Sequence, residues 1–184
     1  MPDDEPRLIQ QAQAGNRSAF AALYRRYQQA VFTYVYYRVG DQYAAEDLAA
    51  EVFVRMVEKI GQYRHRGKPL LAWLYAIARN LLTDHYRLNA RYKCLPLDET
   101  LATGHDDPAE ETDHRLTTEA IARSLDCLTE PQRQVIIGRF IEGRSVAEMA
   151  SILGKTEGAV KVLQYRALGA LQRALKEKES EHAS

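Results

Sequence analysis

Six cations, Arg64, Arg66, Lys68, Arg79, Arg87 and Arg91, lie between Ile60 and Tyr92 against one acid, Asp84. Tyr63, Trp73, Tyr75, Tyr86 and Tyr92 are interleaved with them. Cations among rings suit a single nucleic-acid strand, because charges follow the phosphates while ring faces stack on bases. Several of these rings serve equally well as core, Trp73 above all. On a helix, the polar face of this stretch reads Ala72, Ala76, Arg79, Asn80, Thr83 and Arg87, and its two alanines leave room for a strand. A second set lies near the C-terminus. At about 100° per residue, Gly158, Lys161, Val162, Tyr165 and Arg166 fall opposite Val160, Leu163, Ala167, Leu171 and Leu175. The cations can reach phosphates or guanine edges, and Val162 and Tyr165 can meet a thymine methyl. The third set is the row Asp47, Glu51 and Arg55, flanked by Val54 and Glu58. It is either a solvated ionic face or a docking face for a basic helix, and charge alone favours the solvated face.

Catalytic chemistry finds no support. Cys94 and Cys127 lack CxxC spacing, and His65, His85, His105, His114 and His182 form no HExxH or HxH pair, so neither a metal site nor a cofactor is expected. No nucleophile–base pair and no phosphate-cradling GxxxxGK[ST] loop occurs. The 184 residues carry 25 Lys+Arg and 25 Asp+Glu, a zero net charge that excludes a globally cationic nucleic-acid coat. No apolar run approaches the roughly 18 residues that span a bilayer. The N-terminus, Met1-Pro2-Asp3-Asp4-Glu5, is acidic, so a cytoplasmic protein without membrane insertion is expected.

The zero charge conceals a division. Residues 1–92 hold 13 Lys/Arg against 9 Asp/Glu, 93–117 hold 2 against 7, and 118–184 hold 10 against 9. The middle segment, with Pro96, Gly104 and Pro108 and no helical period, reads as an acidic, mobile linker. Ten of the eleven tyrosines precede it.

Both flanking modules read as helical. Leu23, Tyr27, Val31 and Val35 continue one face from Ser18, which outweighs the strand-favouring composition of Val31–Tyr37. Asp41 caps a helix over Ala44–Ile60, where Leu48, Val52 and Met56 repeat at four-residue spacing beside Ala49, Phe53, Val57 and Ile60. Pro69 precedes a helix from Leu70 to about Arg91. In the second module, Thr129-Glu130-Pro131-Gln132 and Ser145-Val146-Ala147-Glu148 are capping boxes, and Gly143 ends the first of their helices. Gly154 supplies a left-handed stop, and Thr156 caps a helix over Glu157–Lys176. Two helices joined by a short Gly-containing turn form a helix-turn-helix or a plain helical hairpin.

Together these residues resemble the bacterial RNA polymerase sigma factors, specifically the extracytoplasmic-function (ECF) group of the sigma-70 family. The first module resembles conserved region two through Ala19-Phe20, Leu23-Tyr24, Ala45-Glu46-Asp47-Leu48-Ala49-Ala50-Glu51-Val52-Phe53 and Ala72-Trp73-Leu74-Tyr75-Ala76-Ile77-Ala78-Arg79-Asn80. The second resembles region four through Leu128-Thr129-Glu130-Pro131, Arg139-Phe140, Gly143-Arg144-Ser145, Glu148-Met149-Ala150, Leu153-Gly154 and Glu157-Gly158-Ala159-Val160-Lys161. The resemblance implies an all-α protein of two small helical domains joined by a flexible acidic linker. Region two would occupy 1–92, the linker 93–117, region four 118–176 and a tail 177–184.

It implies an alternative sigma factor, not an enzyme, that binds core RNA polymerase and directs promoter-specific initiation. Asp47, Glu51, Val54, Arg55 and Glu58 would dock on the clamp helices of the largest subunit, with region four on the β flap. Tyr63, Arg64, His65, Arg66, Gly67 and Lys68, with Asn80 beneath them, would capture an unstacked base of the minus-ten element. Arg79, Arg87 and Arg91 would hold the opened strand. Gly158, Lys161, Val162, Tyr165 and Arg166 would read the minus-thirty-five element. An anti-sigma factor is a further implied partner.

Three departures carry expectations. Val162-Leu163 replaces the family's polar-Arg pair, which predicts an uncommon minus-thirty-five preference. Ala49-Ala50 replaces a glutamine-containing pair. Gly138 stands where a larger apolar residue is usual, and a mid-helix glycine costs about 1 kcal/mol, which predicts a locally weak helix. A stand-alone helix-turn-helix regulator would account for 118–176 but leave 1–92 unexplained. A helical adaptor that binds only proteins would make Lys161 and Arg166 dispensable.

Overall fold

A computed structural model describes residues 4–65, 67–93 and 121–182; the acidic linker expected from residue 93 lies, beyond Lys93, outside the described residues. Among them, every regular element is helical: α1 Glu5–Gln13, α2 Arg17–Val39, α3 Gln42–Lys59, α4 Leu70–Lys93, α5 Glu130–Ile136, α6 Val146–Leu153 and α7 Glu157–His182. The ends follow local chemistry. The Asn16 side chain accepts from the Ser18 and Ala19 amides to open α2, and Gly40 closes it at φ 73°. Asp41 accepts from Ala44 N at 2.7 Å. Gln132 accepts from Thr129 N at 3.0 Å, and Ser145 and Glu148 exchange bonds of 2.7 and 3.1 Å. Gly154 sits at φ 63°, and Thr156 Oγ1 accepts from Ala159 N at 3.2 Å. Leu23, Tyr27, Val31 and Val35 are all buried, so tertiary packing of one stripe overrides the strand propensity of Val31–Tyr37.

Several expectations are corrected. Helix α1 was not foreseen. Helix α7 runs to His182, past Lys176, and Leu175 is exposed because the helix has outrun its neighbours there. Val57 is exposed beside Val54 rather than joining the apolar flank of α3. The helix begun at Thr129 does not continue as α-helix to Gly143. Its last turn widens into a π-helix over Ile137–Ile141, with Glu142 N donating to Ile137 O at 3.0 Å. Gly138 lies in this turn, and a Cβ there would stand 2.3 Å from Met149 Sδ. The glycine is what lets α6 approach, so it serves close packing and is not simply a weak point.

The largest difference is how the modules sit. Helices α1–α4 form one unit and α5–α7 another, yet Val135, Met149, Ile152 and Val160 belong to the same buried cluster as Leu23, Val31, Val52 and Leu74. The second unit rests on α2 and α4. A polar network crosses the join. Arg38, its side chain 3% exposed, reaches Glu130 at 2.7 Å, and Tyr34 donates to the same carboxylate at 2.7 Å. The Arg38 guanidinium lies 3.4 Å from the Tyr34 ring centroid, and Tyr34 stacks on Tyr75 at 4.2 Å. Tyr75 in turn donates to Glu142 at 3.2 Å, and Tyr86 donates to Arg38 O at 2.6 Å. Burial pushes the Tyr34 and Tyr75 hydroxyls well above the ordinary tyrosine range, with the Glu130 and Glu142 carboxylates adding to it.

Candidate nucleic-acid interface

The chain leaves α3 through a 3-10 turn, Ile60–Gln62, and reaches α4 by the loop 63–69. Tyr63 tilts against Trp73 with centroids 4.8 Å apart. Between the loop and the first turns of α4 lies a cavity of about 360 Å³, lined by Tyr63, Arg64, Lys68, Ala72, Trp73, Ala76 and Arg79. Its opposite wall comes from the second unit, through Gln134, Ile152 and Leu153. Two alanines, two rings and three cations around one cavity combine close approach, stacking and phosphate attraction.

Four expected strand-binding residues, Tyr63, Arg64, Lys68 and Arg79, converge on this cavity. His65 and Gly67 are exposed on the loop, while Arg66 and the side chain of Arg91 lie outside the described residues. Asn80, expected beneath the loop, is exposed and is not among the residues that line this cavity. Ala72, Trp73 and Ala76 line the cavity there, and Trp73 is half-buried, packing against the core as well as forming a wall. Arg87 is exposed beside Asp84 at 3.9 Å. Lys68 packs on the left-handed end of α6, its Nζ 2.6 Å from where a Cβ on Gly154 would stand. A cation is favoured at that helix C-terminus.

The other two faces are open. Gly158, Lys161, Val162, Tyr165 and Arg166 are all exposed on α7, Val162 at 49% and Tyr165 at 81%. Helices α6 and α7, joined at Gly154, place this face on the second helix of a helix-turn-helix. On α3, Asp47, Val54, Arg55 and Glu58 are exposed and Glu51 is half-buried. Arg55 pairs with Glu51 at 2.7 Å and with Glu58 at 3.6 Å. Exposed pairs of this kind contribute little stability, and Val54 and Val57 beside them give the face an apolar component.

Known proteins share this organisation. Residues 23–92 match the family model Sigma-70 region 2, and 118–171 match Sigma-70, region 4. The ECF RNA polymerase sigma factor SigD of Mycobacterium tuberculosis is 33% identical over 172 residues, covering 90% of this chain and 81% of SigD. This chain belongs to the ECF sigma factors. The sigma factor is also 39% identical over 175 residues to ECF RNA polymerase sigma factor BldN of Streptomyces coelicolor, covering 91% of this chain but 64% of BldN. Among solved structures, CnrH in complex with the cytosolic domain of CnrY resembles it with a TM-score of 0.67 at 25% identity. That likeness covers 94% of this chain and 97% of CnrH, and so takes in both helical units. Sigma factors are regulatory initiation factors. Among the described residues of this one, no group of three His, Cys, Asp or Glu could hold a metal ion. No described helix is long and apolar enough to cross a membrane.

The sequence reading missed three things: the covering of the cavity beside Tyr63 by Gln134, Ile152 and Leu153, the Arg38–Glu130 join, and α1. Arg38 carried a signal. It continues the buried stripe Val31, Tyr34, Val35, and a buried cation demands a partner. Pro6 after three acids, ahead of Ile9 and Ala12, could have located α1.

Proposed function

We propose that this sigma factor binds core RNA polymerase and directs promoter-specific initiation, supplying recognition and melting while the polymerase supplies the chemistry. Its working division is 1–92 for docking and the minus-ten element, 93–117 as linker, 118–176 for the minus-thirty-five element and 177–184 as tail. The observation that carries this reading is the cluster of rings and cations beside Tyr63, which suits an unstacked base once the covering residues of the second unit move aside. Trapping a base there offsets the few kcal/mol lost on unstacking, about what a stacked base regains. Lys161, Val162, Tyr165 and Arg166 read the duplex from α7. Asp47, Glu51, Val54, Arg55 and Glu58 meet the clamp helices of the largest subunit, and the second unit meets the β flap. Each unit is nearly neutral and weak alone. Polymerase joins the two contacts through effective concentration.

A strand laid along Ala72, Ala76 and Arg79 meets Ile152 and Leu153, so engagement of the minus-ten element requires the two units to part. An anti-sigma factor is a fitting partner for the closed form, as CnrH is solved with CnrY. Run-off transcription with purified bacterial core polymerase on a promoter library tests the reading. Transcripts downstream of a shared pair of upstream elements are expected. No complex with core and no transcript would overturn it and favour a stand-alone regulator.

A further inference from the structure

The loop that lines the strand cavity is fastened by residues outside the segment matched by the region 2 model. Gln13, the last residue of α1, donates from Nε2 to Ile60 O and to Tyr63 O, each at 2.9 Å. These carbonyls belong to the 3-10 turn and to the first residue of the loop. At the other end, Glu5 Oε1 accepts from Leu70 N at 2.7 Å, capping α4 with a side chain from α1. Its second oxygen accepts from the Tyr27 hydroxyl, which ties the brace to α2. Between these anchors the loop holds itself through Tyr63 Oη and Lys68 O at 3.5 Å. Helix α1 is itself fixed by Ile9 and Ala12, which are buried in the core.

We infer that Gln13 and Glu5 are positioning residues for base capture: they set where Tyr63 stands relative to Trp73 and Arg79, and so set selectivity at the captured base. The inference rests on the function proposed above. It places a specificity determinant on α1, a helix that supplies no side chain to the cavity lining. Gln13 is exposed, so its replacement removes two hydrogen bonds without opening the core.

The test uses the full chain assembled with bacterial core polymerase on a promoter library randomised in both elements. Gln13→Leu keeps bulk and removes the donors, Gln13→Lys keeps N–H donors within reach, and Glu5→Gln keeps one acceptor for Leu70 N. Gln13→Leu is expected to reduce discrimination at the captured minus-ten base by about tenfold, the scale of two lost hydrogen bonds. Minus-thirty-five discrimination and affinity for core polymerase stay unchanged. Gln13→Lys and Glu5→Gln are expected to retain most of the discrimination. An unaltered minus-ten profile with Gln13→Leu, or equal loss with Gln13→Leu and Gln13→Lys, would overturn the inference. Failure of the wild-type chain to initiate at all would instead overturn the sigma-factor reading.

Discussion

Glu130→Gln should loosen the join between the two helical units. Glu130 meets Arg38 and Tyr34 at 2.7 Å each, and its substitution by glutamine leaves the guanidinium, 3% exposed, without a counter-charge. Removing one partner of a fully buried pair costs about 3–5 kcal/mol. The Glu130 side chain is 35% exposed, so water screens the pair and the cost to the closed form falls to about 2 kcal/mol. At 1.4 kcal/mol per factor of ten, the open-to-closed ratio rises roughly thirtyfold. Energy transfer between dyes on cysteines placed at Arg25 and Arg173, both exposed, reads that ratio in a background without Cys94 and Cys127. The free chain should gain affinity for a single-stranded minus-ten oligonucleotide in step, at matched salt. Glu130 also opens α5, a helix-start contribution of about 0.3–1 kcal/mol that acts within the second unit. Arg38→Met attacks the join from the other side and leaves α5 untouched. If neither substitution moves the ratio by more than about twofold, the join contributes under 0.5 kcal/mol and the apolar contacts alone hold the units together.

Other outcomes are expected alongside it. Gly138→Ala places a Cβ 2.3 Å from the sulfur of Met149, itself 1% exposed, and overpacking of about 1–3 kcal/mol should appear as a lower melting temperature. Lys161→Glu should abolish minus-thirty-five selection while leaving polymerase association intact, read by promoter-library transcription beside a core-binding assay. Asp47→Arg with Glu51→Arg should do the reverse. On alkaline titration followed by tyrosinate absorbance, Tyr27, Tyr34 and Tyr75 should ionise only as the fold opens. Their folded pKa values are raised, chiefly by burial, so the stability they contribute is full below the unfolded value near 10 and is lost as pH rises above it.

Much of the fold was legible because its helix ends are written locally. Asp41, Thr129, Ser145, Gly154 and Thr156 each mark a boundary with the side chain or backbone freedom that the boundary needs. The exposed face of α7 was equally legible, since 3.6-residue periodicity places Lys161, Val162, Tyr165 and Arg166 together whatever else the chain does. The cavity was half legible: cations and rings gave its character, while its walls depended on residues far apart in sequence. Periodicity says which face of α2 is buried, not that Glu130 lies over it. Nor does it report the widened turn at Ile137–Ile141, whose hydrogen bonds depend on how closely Gly138 lets Met149 approach.

That widened turn also fixes a length. Glu142 N reaches back five residues to Ile137 O. Deleting one residue between Ile137 and Ile141 would let the ladder close at four and rotate everything after it by about 100°. Glu142 would swing off the Tyr75 hydroxyl, and Ser145 would open α6 on a different side of the helix axis. The extra residue thus works as a phase setting between the start of α5 and the helices α6 and α7 that follow it.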